Sequence, residues 1–139
     1  MVTILLITTI LIKMKELINK KDITNFHVPA FASEKAEILK NKYCFSDSIS
    51  VFKLSMSYAI KHHRHEIDFI TLDEEYPSDG ANYNVGSLDD TDGTIRKTIC
   101  SLYTECTTPY RYARVLSVFG LLKLFEKLNP NHDNLFDIL

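Results

Sequence analysis

Glycine and proline are scarce, four of each in 139 residues, so long stretches of chain run without a helix breaker. There is no glycine-rich phosphate loop and no G-x-S-x-G nucleophile elbow, which removes two of the commonest catalytic signatures. Cysteine is limited to Cys44, Cys100 and Cys106, an odd number at spacings that suit neither a disulfide framework nor a zinc site. A reducing setting, the cytoplasm, is therefore expected, with Cys100 and Cys106 as packing residues. No apolar run reaches the roughly 20 residues of a spanning helix, so no membrane partner is expected.

What is present suits one packed domain. Hydrophobic residues make up 45%, enough to exclude wholesale disorder. The reading is a mainly α, single compact domain over 14–139, with four to five helices and one or two short strands near 26–31 and 67–72. It divides into a basic strand-helix-helix part at 25–65, an acidic strand and loop at 66–92, and a C-terminal helical pair at 93–139. The net charge of −2 conceals a split: residues 1–65 carry ten basic against five acidic side chains, and residues 66–139 carry six against thirteen. Such polarity steers an anionic partner to the first half or supports head-to-tail association.

Val2 to Ile12 (VTILLITTILI) is the most apolar stretch. Its β-branched content predicts a buried strand, or else residues 1–13 are an extension with little structure of their own; hydrophobic surface left exposed there favours oligomers. Lys15 to Asn25 reads as a short helix or linker. Phe26, Val28 and Ala30 alternate as a short strand, which Pro29 confines to an edge. A first helix is capped by Ser33, with Ala36 and Leu39 inward. A second is capped by Ser46 or Asp47, with Ile49, Phe52, Met56, Ala59 and Ile60 at helical spacing. Ala81 to Asp92 is a loop with Tyr83, Val85 and Leu88 tucked in. A third helix runs from Thr91 or Thr94 to Tyr103. The fourth spans Pro109 to Leu128, capped by Thr108 and stopped by Asn129-Pro130.

Few groups of residues carry chemistry. Asp90, Asp92, Gly93 and Ile95 fall on EF-hand positions, but Leu88 and Ile99 stand where the first and twelfth ligands belong, so a loop feeding a helix start explains them better. His62, His63, His65, Glu66 and Asp68 lack the spacing of a metal site; no metal and no cofactor are expected. Lys61, His62, His63 and Arg64 form a basic helix end, where positive charge also suits the helix dipole. Arg111 and Arg114 share one face beside Tyr110, either to meet phosphate or a partner's carboxylate, or to pair internally with Asp73-Glu-Glu75 or Asp89-Asp90. In the fourth helix, Phe119 and Leu122 are assigned to the core. Leu121, Leu124 and Phe125 are assigned to an interface with the N-terminal segment or another chain.

The strand, helix, short turn and longer helix of residues 25–63, with the cap Phe45-Ser-Asp-Ser48, resemble a ribbon-helix-helix module over about 40 of 139 residues. That resemblance implies a dimer whose paired strands enter the DNA major groove; the outward positions here, Asn25, His27 and Pro29, are a poor basic set. By length and element order the whole chain also resembles small accessory proteins of bacterial DNA-modification and phage-defence clusters, notably those of DNA phosphorothioation. The expected function is a non-enzymatic accessory subunit that binds a protein partner or further copies of itself, with nucleic acid as a further partner. The alternative is a ribbon-helix-helix-like dimeric DNA-binding regulator.

Overall fold

A computed structural model describes residues 2–128 and 134–139, apart from the side chains of residues 2 and 13–19. The described residues form one compact, mainly helical domain of six α-helices and a two-stranded sheet. The expected stop at Asn129-Pro130 lies outside them.

Two helices form the centre. α3 (Ser48–His63) begins where the Asp47 carboxylate accepts the Ser50 N–H at 2.8 Å, satisfying one of the donors a helix start leaves unpaired. Ile49, Val51, Phe52, Ser55, Met56, Tyr58 and Ala59 are buried along it. α6 (Pro109–Leu128) has Pro109 at its first position, but its cap comes from far away in sequence. The Asp22 carboxylate accepts the N–H groups of Tyr110 and Arg111, each at 3.0 Å. Thr108, the expected cap, is buried with its hydroxyl unpartnered. The two helices come into close contact at Gly120, where a Cβ atom would lie 1.9 Å from the Ser55 carbonyl oxygen.

Around this pair, α2 (Ala30–Lys42) starts directly behind Pro29 and not at Ser33. Its first N–H is capped by Asp79 at 2.7 Å, while the Ser33 hydroxyl accepts the Ala81 N–H at 2.8 Å and so ties the helix to a later loop. β1 (Asn25–His27) pairs antiparallel with β2 (Asn82–Asn84), placing Phe26 opposite Tyr83. Phe26 is fully buried, edge-on to Phe52 at 5.9 Å. α5 (Thr94–Leu102) is started by Asp90 and Asp92. Asp90 accepts the N–H groups of Ile95 and Arg96, and Asp92 accepts that of Thr94. The acidic run thus serves a helix start.

Four expectations are corrected. Residues 67–72 are no strand: Asp68 caps α4 (Phe69–Glu75) through the Thr71 N–H, and Phe69 stacks on Tyr112 at 4.0 Å. The second strand is β2, in the stretch read as a loop. The N-terminal stretch is neither strand nor shapeless extension, but the helix α1 (Val2–Asn19), with residues 3–12 exposed. Cys100 is exposed, and only Cys106 is partly covered.

α6 is an ordinary central helix. Leu121 and Leu124, assigned to an interface, are fully buried, whereas Phe119 and Leu122, assigned to the core, are only partly so. The helix is packed by α3, α5, α4, α2 and β1, and so many neighbours bury more than one stripe.

Candidate functional site

The last turn of α3 and the last two turns of α6 lie side by side. Between them is a groove of about 350 Å³ lined by Tyr58, His63, Lys123, Glu126 and Lys127. Each element supplies its residues for a local reason. Lys61, His62 and His63 occupy the last turn of α3, where unpaired carbonyls and the dipole favour cations. Lys123 and Lys127 are four residues apart on α6 and so share a face.

Aromatic contacts order the groove. The Tyr58 ring lies 4.6 Å from His62 and 5.8 Å from His63, and His63 meets Phe119 edge-on at 5.7 Å. The Lys123 ammonium sits over the other part of that contact, 5.6 Å from the Phe119 centroid. The His63 Nδ1 is bonded to the Glu66 carboxylate. Lys61 donates to the Leu139 carbonyl at 2.6 Å. Burial raises the Tyr58 pKa, so its hydroxyl remains a neutral hydrogen-bonding group at the groove wall. The groove offers two flexible ammonium groups, Lys123 and Lys127, and the His63 imidazole beside the Tyr58 ring, against one carboxylate, Glu126, and this excess of cations suits an anion held by charge and hydrogen bonds. Arg64 is half-buried: its carbonyl accepts the Tyr103 hydroxyl at 3.1 Å, and its Nε is buried without a hydrogen-bond partner.

The other predicted contact residues are elsewhere. Arg111 donates to the Lys21 carbonyl at 2.8 Å and pairs with Asp73 at 3.5 Å, one of the internal pairings expected from sequence. Arg114 is 5% exposed and is no surface contact at all. It donates to the carbonyls of His27, Tyr76 and Pro77 at 2.7, 2.7 and 3.0 Å, and so satisfies peptide oxygens that lie within the domain. Phe125 lies partly covered beneath Lys35, 5.3 Å from ammonium to ring. Sequence reasoning missed Tyr58, Lys123 and Lys127. The i,i+4 lysine pair near the end of α6 was the available signal.

β1 bears on the ribbon-helix-helix likeness. It is already paired with β2 of the same chain, and the His27 carbonyl is occupied by Arg114. Among the described residues, no group of three or more His, Cys, Asp or Glu side chains is placed to hold a metal ion, and no helix is long and apolar enough to cross a membrane. Comparison with family models, curated proteins and solved structures found no match.

Proposed function

We propose that this chain is a non-enzymatic accessory subunit that meets an anionic partner, foremost the phosphate backbone of nucleic acid, at the α3–α6 groove. One observation carries the reading: His63 at the end of α3 meets Lys123 and Lys127 of α6 around a single concave surface, where these cations outnumber the Glu126 carboxylate. Phosphate binding needs charge on a shape that admits the backbone, and it needs no catalytic set. The general likeness to accessory proteins of DNA-modification and phage-defence clusters supports the kind of assembly, and three free thiols support a cytoplasmic setting.

Fluorescence anisotropy with a short labelled duplex tests this. Wild-type binding should weaken steeply with salt. The double charge reversal Lys123→Glu, Lys127→Glu should abolish it, or lower the log–log salt slope by about 2. Equal binding by the reversed protein, or no retention of DNA at low salt, would remove the reading. Turnover of nucleic acid or nucleotide by the purified chain would overturn the non-enzymatic part.

A further inference from the structure

α1 is the least satisfied part of the molecule. Ile4, Leu5, Leu6, Ile7, Leu11 and Ile12 are 51–69% exposed, and Ile10 is 47% exposed. Its principal contact with the rest of the chain is α4. These side chains are not scattered: seven apolar residues within the nine positions 4–12 of one helix are exposed together, on more sides than a single neighbouring helix can cover. Isolated exposed leucines need no explanation, but a contiguous patch of this size does.

We propose that α1 is a self-association helix, through which copies of this chain join in a small helical bundle. The register supports a second copy as the occupant. Ile4, Ile7 and Leu11 are spaced three and four apart, the spacing of the a and d positions of a coiled coil, and the sequence continues it at Met14 and Ile18. Isoleucine at both a and d favours more than two strands. The same follows from Leu5, Leu6, Ile10 and Ile12, which lie beyond a two-stranded seam and are covered only when further helices pack.

Two of the three threonines of this stretch make no outward demand. The Thr8 and Thr9 hydroxyls donate back to the Ile4 and Leu5 carbonyls at 2.8 and 2.9 Å, so the helix flank closes against another helix without leaving a donor unpaired. A lipid surface fits less well. α1 is not long and apolar enough to cross a bilayer, and residues 3–12 include no charged side chain to form the polar face of a helix lying in the interface. The inference stands apart from the groove: loss of DNA binding leaves it intact, and loss of assembly leaves the groove intact.

The experiment is light scattering coupled to size exclusion on the full chain across the micromolar range, with wild type, Ile7→Lys with Leu11→Lys, and Ile7→Asn with Leu11→Asn. Wild type should run at about three or four chain masses, and both double variants should fall to one. Their far-UV circular dichroism should be unchanged, since the substituted side chains are exposed in the single chain. Having two chemistries keeps the result readable if one variant folds poorly. A monomeric wild type, or variants of undiminished mass, would overturn the proposal. So would a monomer that co-sediments with phosphatidylcholine–phosphatidylserine vesicles and loses that binding in the variants, since lipid would then be the occupant.

Discussion

The three thiols differ more in their surroundings than their sequence context suggests. Cys44 is exposed and takes a left-handed φ of 58° to reverse the chain after α2, a place more often given to glycine. Cys100 is exposed on α5, although Ile99 beside it is fully buried. Cys106 lies in the turn between α5 and α6, and burial pushes its pKa up to about 12, with Cys100 close enough to add to the effect. At pH 8 very little of Cys106 would be thiolate, and the thiolate is the nucleophile. Iodoacetamide at that pH should therefore alkylate Cys44 and Cys100 while sparing Cys106 until denaturant is added, as read by peptide mass spectrometry. Equal labelling of all three in the folded protein would contradict the burial of Cys106. The packing of Cys106 was legible in sequence but the exposure of Cys100 was not, because helical phase alone does not say which side of α5 is covered.

Among the elements, those with both a cap and a period were readable. Asp47 before α3 and Pro109 at the start of α6 mark their beginnings, and their apolar spacing marks their lengths. α1 and α4 were misread for one reason: runs such as Ile67-Asp-Phe-Ile-Thr-Leu72 have strand composition, and the Asp68 cap that decides the matter takes up a single residue. β2 escaped notice because Asn82-Tyr-Asn84 has no propensity of its own and is a strand only through its pairing with β1. The same limit applied to the groove. Lys61 to His63 stood out as a charge run, but the meeting of His63 with Lys123 and Lys127 depends on how α3 packs on α6. That packing turns on Gly120, where two effects compete. Gly120→Ala should gain about 1 kcal/mol in helix propensity. Its new methyl would meet the Ser55 backbone oxygen at 1.9 Å and the Ala59 methyl at 3.0 Å, and backbone cannot swing aside as a side chain does. Overpacking of this kind costs about 1–3 kcal/mol or more, so the expected result is a net loss seen as a lower urea midpoint. A midpoint at or above wild type would mean that the helices separate freely.

For the molecule as a whole, the charge split along the sequence does not survive as two separate halves, because the fold ties residues from both together at one buried place. Asp73, with a side chain only 5% exposed, accepts Lys20 and Arg111 at 3.5 Å each. Beside it, Arg114 reaches from α6 to β1 and to the segment after α4. Burial lowers the Arg114 pKa and Asp73 opposes that shift, but a guanidinium keeps its proton under any ordinary condition, so a full charge stays inside the domain. Such a charge persists when it is hydrogen-bonded, and here Nε donates to one carbonyl and Nη2 reaches two more carbonyls and, at 3.4 Å, the Ser78 hydroxyl. Arg114→Met removes the charge but strands the oxygens of His27, Tyr76 and Pro77, at an expected cost of about 3–5 kcal/mol. Arg114→Lys keeps the charge, but a single ammonium cannot span both the His27 and the Tyr76–Pro77 sides, so about 1.5–3 kcal/mol should be lost. Against a total stability of about 5–15 kcal/mol, the methionine variant should be marginal and the lysine variant folded. Urea unfolding followed by far-UV circular dichroism orders the three proteins. If methionine proved no worse than lysine, water would be satisfying those carbonyls and Arg114 would not be what holds β1 and the Tyr76–Pro77 segment against α6.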